Sequence, residues 1–416
     1  MSTQTVKIQA LGAQGDGIAH CPEGTVYVPF ALPGETVAIA RLKDQGTVMS
    51  IAEPAPERRD PACRHFGPDG KNGTCGGCSL QHMADEPYHV FKRSLVVAAL
   101  KSKGLDVDVG ALVQCHPGER RRVVFTARRT EKGLLLGFSQ ANSHHIVDIE
   151  ECPVSSSGIV SRLDAIRAIG LPLAANAEPF RIAVMETLSG LDIAFEGIKA
   201  VNDKQRRTVT EIVLSMRGIA RVSLSGEILI EPQKPMIEFD GIAISPPSGG
   251  FAQATKQAED AMARLVLDHV GKSKRIADLF CGSGTFALRL ARLGKVHAVE
   301  AEDKPLKALD LAARNTQGLK PVSIEKRDLF RHPLIVKELK NYDAVVFDPP
   351  RAGAEAQCKE LARSGVKKIV AVSCNPLSLA RDLAILTEGG YRITSVTPID
   401  QFLWSPHVEA VATLEK

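Results

Sequence analysis

Aromatic side chains are scarce in this sequence: Phe, Trp and Tyr make up 5% of 416 residues, with one tryptophan and four tyrosines. A groove that tracks a long single strand stacks successive bases on aromatic rings, so that mode of nucleic-acid binding is not indicated. Long apolar runs are missing as well. No stretch approaches the roughly 18 to 20 residues that span a bilayer, and the first residues lack the basic and apolar segments of a secretory signal. The expectation is a cytoplasmic protein without membrane association. Charge of one sign is also lacking, since 52 Lys and Arg against 48 Asp and Glu leave a formal +4. That balance permits an anionic partner without demanding one. Repeats and low-complexity tracts are absent. The remaining composition, 44% hydrophobic and 24% charged, is that of a globular chain with length for two or three domains.

Nine cysteines are present, but a reducing compartment excludes a disulfide scaffold. Cys63, Cys75 and Cys78 lie within 16 residues, and Cys152 follows in a Glu-Cys-Pro stretch. Cys75 and Cys78 form a C-x2-C knuckle that the other two can complete to four thiolates. Four cysteines bind either a structural zinc or an iron–sulfur cluster. Cys21, Cys115, Cys281, Cys358 and Cys374 are scattered.

Hydrophobic periodicity divides the chain into three. Residues 1–55 alternate with strand period around Val6, Ile8 and Leu11, then over Thr25–Phe30, Glu35–Ala40 and Thr47–Ile51, with Gly-rich turns between. Short strands so spaced predict a small β-barrel. Residues 56–240 read as α+β. A helix is expected from an Asp85 N-cap to Gly104, packing on the C-terminal domain, and another around Gly158–Ile169. Strands are expected at Val123–Arg128, Leu134–Phe138, Ile146–Ile149, Ile182–Glu186, Thr208–Ser215 and Glu227–Glu231. From 241 onward a Thr255-capped helix ends at Gly271. Strands and helices then alternate, which predicts an α/β domain with a doubly wound, mostly parallel sheet over 241–416.

Ligands on such a sheet sit at the carboxyl ends of the strands, and unusual residues stand there. The first strand runs into Asp278-Leu-Phe280-Cys-Gly282-Ser-Gly284-Thr285, whose glycines let backbone approach a nucleotide-like ligand. Glu300 ends the second strand, where a carboxylate can accept from both ribose hydroxyls. The nucleotide is either a dinucleotide or S-adenosylmethionine. Asp328 follows the third strand, within reach of an adenine amino group. The fourth ends in Asp348-Pro-Pro-Arg351, the next in Ser373-Cys374-Asn375-Pro376. A thiol at a strand tip points into the crevice, and a following helix would favour its thiolate. Glu409, after Trp404-Ser-Pro-His407-Val, opens an otherwise apolar strand near the same crevice. Arg120-Arg-Arg122, Arg128-Arg129 and Lys204-Gln-Arg-Arg207 are candidate phosphate contacts.

In order and kind these motifs resemble the iron–sulfur-containing RNA uracil-5 methyltransferases, which make 5-methyluridine in ribosomal RNA, and the resemblance covers essentially the whole chain. It implies an OB-like TRAM barrel that binds RNA, a [4Fe–4S] cluster on Cys63, Cys75, Cys78 and Cys152, and a Rossmann-like class I methyltransferase domain. It further implies S-adenosylmethionine held by Gln253 (of Phe251-Ala-Gln253), Phe280, Thr285, Glu300, Asp328 and Asp348, with Cys374 as nucleophile and Glu409 as base. The expected substrate is 23S rRNA, with tRNA the alternative, and the expected state is a monomer. Two departures stand out. Eleven residues separate Cys63 from Cys75, a longer gap than the family's, and Thr285 stands where asparagine is usual.

Other classes fit less well. An exocyclic-amine methyltransferase follows Asp-Pro-Pro with an aromatic, where Arg351 stands. A cytosine-5 RNA enzyme carries a Pro-Cys in that motif, and a radical methylthiotransferase a C-x3-C-x2-C spacing. A non-catalytic RNA-binding module leaves Cys374 and Glu409 without a purpose.

Overall fold

A computed structural model describes residues 2–140 and 143–416. The N-terminal barrel has strands Ser2–Lys7, Ala10–Leu11, Gly17–Cys21, Gly24–Val28, Thr36–Leu42 and Gln45–Glu53. Ser2–Lys7 stands at one end of the strand order and Ala10–Leu11 at the other. Both belong to one run of chain, so the sheet closes on itself. Alternate residues, Val26 and Val28 with Val37 and Ile39, fill its interior. The Gly17–Cys21 strand was not anticipated, because its glycine reads as the end of a turn.

The central part is a seven-stranded sheet spanning Arg122–Thr130 to Glu227–Ile230, with helices Leu163–Leu173 and Asp203–Ser215 sharing its core. Residues 208–215, expected as a strand, belong to the latter helix. Asn202 and Gln205 form a reciprocal capping box that starts it, and Val209 and Val213, four apart, bury one face. The β-branched residues gave the strand-like signal, and the cap with tertiary burial overrode it. Strands Gly190–Glu196 and Ile219–Leu224, a parallel pair, were not anticipated.

The C-terminal sheet has the order Val322–Lys326, Lys295–Glu300, Arg275–Leu279, Ala344–Phe347, Lys368–Ser373, Glu409–Glu415, Arg392–Ile399. The first five are parallel, and Glu409–Glu415 runs antiparallel to both its neighbours. Apolar cores lie on both faces, as a parallel sheet requires. On one face the helix Lys256–Val270 starts where Thr255 Oγ1 accepts from Ala258 N (3.1 Å) and stops at Gly271. On the other lies the helix Asp85–Lys101, contributing Val96, Ala99 and Leu100 to a core with Leu379 and Leu383. Its N-cap is Ala84, not Asp85. Asp85 instead occupies the first turn, where its charge complements the helix dipole. No helix among the described residues is long and apolar enough to cross a membrane.

Candidate active site

The crevice is built at the carboxyl ends of the parallel strands. After Arg275–Leu279 the chain turns through Phe280, Gly282 and Gly284, all at positive φ (58°, 52° and 96°). A Cβ on Gly284 would lie 2.4 Å from Leu309 Cδ1, so only glycine fits there. Glu300 braces the turn. One carboxylate oxygen accepts from Gly282 N (3.0 Å), the other from Ala301 N (2.6 Å) and Glu302 N (3.1 Å). An ionised carboxylate has about four acceptor positions, so most are committed to backbone and the group is held in one orientation. Phe280 packs against Phe330 at 5.4 Å. Asp328 Oδ1 accepts from Phe330 N (3.0 Å), which fixes that ring over the turn. Thr285 is half-buried, and its carbonyl accepts from Arg289.

Gln253 reaches in from the segment before the Lys256–Val270 helix. Its Nε2 donates to Asp348 Oδ2 (2.9 Å), and its Oε1 has no partner among the described residues. Burial pushes the Asp348 carboxyl up to about 7 against that hydrogen bond. Ser373 pairs with Ala410 across the antiparallel register, so the next residues, Cys374 and Glu409, face each other at the strand ends. Asn375 caps the following helix, accepting from Leu377 N (3.2 Å), and its Nδ2 donates to the Arg351 carbonyl (3.0 Å).

The thiol is not favoured as thiolate by its surroundings, contrary to the expectation from the helix dipole. Burial first, then Glu409 and Asp348, push Cys374 up to about 11, with Arg351 opposing. Both carboxylates come from other strands, which a local reading does not register. Glu409 is 2% exposed, and burial together with Asp348 raises its carboxyl well above the usual range. Its Oε2 accepts from Gln401 Nε2 (2.9 Å), while Oε1 has no partner among the described residues.

Two buried groups were not singled out from the sequence. Asp278 is fully buried with neither oxygen partnered among the described residues. A carboxylate inside an apolar strand was its signal. Gln401 has no local signal, since its partners lie elsewhere in the chain.

Cys63, Cys75, Cys78 and Cys152 border one cavity of about 340 Å³, together with Arg120 and Phe402. Burial raises the Cys63 thiol to about 11, and its neighbours Cys152 and Cys75 push the same way. No group of three or more His, Cys, Asp or Glu side chains is arranged to hold a metal ion among the described residues. All four thiol-bearing residues line the cavity. The long loop after Cys63 folds on itself: buried His65 bonds to the Lys71 carbonyl through Nδ1 (2.8 Å) and accepts from Glu150 N through Nε2 (3.0 Å).

The basic segments do not all face outward. Arg121 pairs with buried Glu259 (2.5 Å), Arg120 lies over Phe402 and Arg122 over Phe251. The 120–122 run therefore serves packing between the central and C-terminal parts, not an exposed phosphate face. Arg206 is paired with Glu227 (3.0 Å).

Residues 242–416 match the tRNA (Uracil-5-)-methyltransferase family and residues 1–42 the TRAM domain. The chain is 83% identical over the full length of both proteins to an uncharacterized RNA methyltransferase of Agrobacterium fabrum. It is 28% identical to a 23S rRNA (uracil(1939)-C(5))-methyltransferase of Shewanella baltica, over 99% of this chain and 95% of that one. In fold it is similar to the Pyrococcus abyssi tRNA (uracil-54, C5)-methyltransferase solved with S-adenosyl-L-homocysteine, with a TM-score of 0.76, 23% identity and 99% of each chain covered. With a TRAM barrel ahead of a seven-stranded methyltransferase sheet, the chain belongs to the RNA uracil-5 methyltransferase family and is an S-adenosylmethionine-dependent enzyme of that kind.

Proposed function

We propose that this enzyme methylates carbon 5 of a uridine in 23S rRNA through a covalent bond between Cys374 and carbon 6 of the uracil. The observation that carries the reading is the strand register that sets Cys374 opposite Glu409, with Asp348 beside both. Carbon 5 of uracil is a poor nucleophile. Attack of the Cys374 thiolate on carbon 6 forms the S–C6 bond and turns the ring into an enolate, which makes carbon 5 nucleophilic. S-adenosylmethionine supplies a methyl group on a sulfonium for carbon 5 to take. Glu409 then removes the carbon 5 proton, the C5–C6 double bond returns and the thiolate leaves. The uracil has to leave its stack to reach this crevice.

Glu300, fixed by three backbone N–H groups, keeps an acceptor position for a ribose hydroxyl, and the Phe280–Phe330 pair suits an adenine face. Gln253, Thr285, Asp328 and Asp348 complete the proposed cofactor set; the unpartnered Gln253 Oε1 is an acceptor that a bound ligand would satisfy. The likeness to the Shewanella enzyme over nearly the whole chain supports ribosomal RNA. The archaeal structural match keeps tRNA as the second reading. We place the reaction in the cytoplasm, in a monomer of three parts: 1–55, 56–240 and 241–416.

Cys63, Cys75, Cys78 and Cys152 are proposed to hold a [4Fe–4S] cluster. Four thiols on one cavity wall are the donor type that either a zinc or a cluster takes, and the family resemblance favours the cluster. When bound it would tie the 63–78 loop to the 152 segment through metal–thiolate bonds.

The test is mapping of 5-methyluridine in rRNA from cells lacking the protein, complemented with variants. Cys374→Ala should give no methylation and no covalent RNA adduct. Glu409→Gln should still attack and methylate, then hold a methylated adduct through denaturing electrophoresis, with release slowed roughly 10² to 10⁴-fold. An adduct from Cys374→Ala removes that cysteine from the mechanism.

A further inference from the structure

Gln401 lies between the last two strands and is 3% exposed. Its side-chain amide is used at both ends. Oε1 accepts from Ala254 N (2.9 Å), and Nε2 donates to Glu409 Oε2 (2.9 Å). A backbone N–H can only donate, so the amide oxygen has to face Ala254 and the NH2 has to face the carboxylate. Ala254 follows Gln253, whose own Nε2 donates to Asp348. Two consecutive residues therefore hold both crevice carboxylates, one directly and one through Gln401. Glu409 is left with one oxygen bonded and Oε1 without a partner among the described residues.

We propose that Gln401 is a positioning residue for the deprotonation step, holding Oε2 of Glu409 so that Oε1 is the atom that takes the carbon 5 proton. This rests on the reading of Glu409 as the base. In that step the C5–H bond breaks and its electron pair forms the C5–C6 double bond. The C6–S bond returns its pair to Cys374, and the proton ends on Oε1. The carboxyl has to be ionised beforehand. Burial and Asp348 oppose that, and the Gln401 N–H favours it. The other groups nearby are the Cys374 thiol and, beside it, Arg351. Gln401 thus acts on both the direction and the charge of the base without touching the uracil.

Two variants separate this role from a structural one. Gln401→Met approximates the volume and removes both hydrogen bonds. Gln401→Glu keeps an oxygen for Ala254 and can donate to Glu409 only while the introduced carboxyl is protonated. Single-turnover methylation, adduct clearance between about pH 6 and 9 and S-adenosylmethionine affinity are measured beside Glu409→Gln. Gln401→Met should bind cofactor and methylate in the first turnover like the parent, yet clear the adduct roughly 10- to 100-fold more slowly, with the pH midpoint of clearance moved upward. Gln401→Glu should clear slowly at high pH and recover as pH falls. Parental clearance with an unmoved profile in Gln401→Met overturns the inference. So does a parallel loss of affinity, methylation and clearance in both variants. Normal turnover by Glu409→Gln is a separate failure: it removes the base itself, and the role of Gln401 with it.

Discussion

Asp348, Cys374 and Glu409 stand at the ends of strands whose interiors are wholly buried, whereas Cys63, Cys75, Cys78 and Cys152 lie on irregular chain around a cavity. The crevice inherits its geometry from the sheet: hydrogen-bond register sets Cys374 opposite Glu409, and the two apolar cores fix the strands. The cysteine loop has no ladder. It is held by single polar links such as Arg64 to Glu151 (2.9 Å), Cys75 N to His65 O (2.9 Å) and Gly76 N to Ser139 O (3.2 Å). Such contacts are individually weak. The proposed chemistry, which needs placement to a fraction of an ångström, would sit on the sheet, and the proposed cluster would add most in the loop region. One strip of chain joins the two. The Trp404 carbonyl accepts from Ser79 and Leu80, beside Cys78, and five residues later the chain reaches Glu409.

The largest expected effect tests whether the regions are independent. Protein purified without oxygen should be brown, with absorbance near ~400 nm from thiolate-ligated iron, and Cys78→Ser should abolish it. S-adenosylmethionine affinity by calorimetry should stay at the parental value, because the crevice stands on the sheet. A colourless parent holding one zinc refutes the cluster. A matching loss of cofactor affinity in Cys78→Ser breaks the comparison.

Next in size is the joint between them. Lys92 and Asp400 form a fully buried ion pair at 2.8 Å. Lys92 Nζ also donates to the carbonyls of Phe402 (3.1 Å), Ser405 (3.0 Å) and His407. The Tyr88 hydroxyl donates to Asp400 (2.8 Å) and accepts from Trp404 N (2.8 Å). The helix after the cysteine loop thereby clamps the segment that leads to Glu409. Lys92→Met leaves the Asp400 charge without its counter-ion and takes the donor from the Ser405 and His407 carbonyls, and should cost about 3–5 kcal/mol in denaturant unfolding. Burial already raises the Asp400 carboxyl, and the Lys92 charge opposes it. Without that charge its folded pKa climbs further above the unfolded value. The penalty is then full at neutral pH and shrinks as pH falls through the raised pKa. A cost that does not shrink on acidification means Asp400 is not the group left charged.

What was legible in the sequence follows the same division. Strand ends were readable because each motif is contiguous and the alternation of strand and helix is strong: Lys368–Ser373 was expected with the bounds it has. The helix over 203–215 was misread because Thr208, Thr210 and Ile212 look strand-like, while the Asn202–Gln205 cap that decides the matter is short. The raised Cys374 thiol was not legible at all. It depends first on burial and then on carboxylates supplied by the Ala344–Phe347 and Glu409–Glu415 strands, whereas the dipole of the next helix is a local feature. Gln401 is the extreme case, with Ala254 147 residues away. The four cysteines were legible as a set and do line one cavity, but their spacing left zinc and a cluster open.

The smallest expected effect concerns which half meets the RNA backbone. Beside the TRAM barrel the central part carries candidate phosphate contacts, and its arginines are not equivalent. Arg206 lies against Glu227 at 3.0 and 3.1 Å through both terminal guanidinium nitrogens, so its charge is already matched and its donors are partly used. Arg128 is half-buried on the Arg122–Thr130 strand and has no ion-pair partner among the described residues. Beside it Arg129 and Lys132 border the same concave surface. Each Lys or Arg that neutralises a phosphate releases a cation condensed on the RNA and contributes roughly 0.7 to 0.9 to the slope of log K against log salt. Arg128→Ala should lower that slope by about that much and weaken binding alike on any RNA sequence. Arg206→Ala should leave slope and affinity at the parental values, because breaking one ion pair to make another gains nothing. Filter binding across a salt series reads both. Slopes lowered equally in the two variants mean that the surface pair with Glu227 opens on RNA binding, and a parental slope in Arg128→Ala removes that residue from the interface.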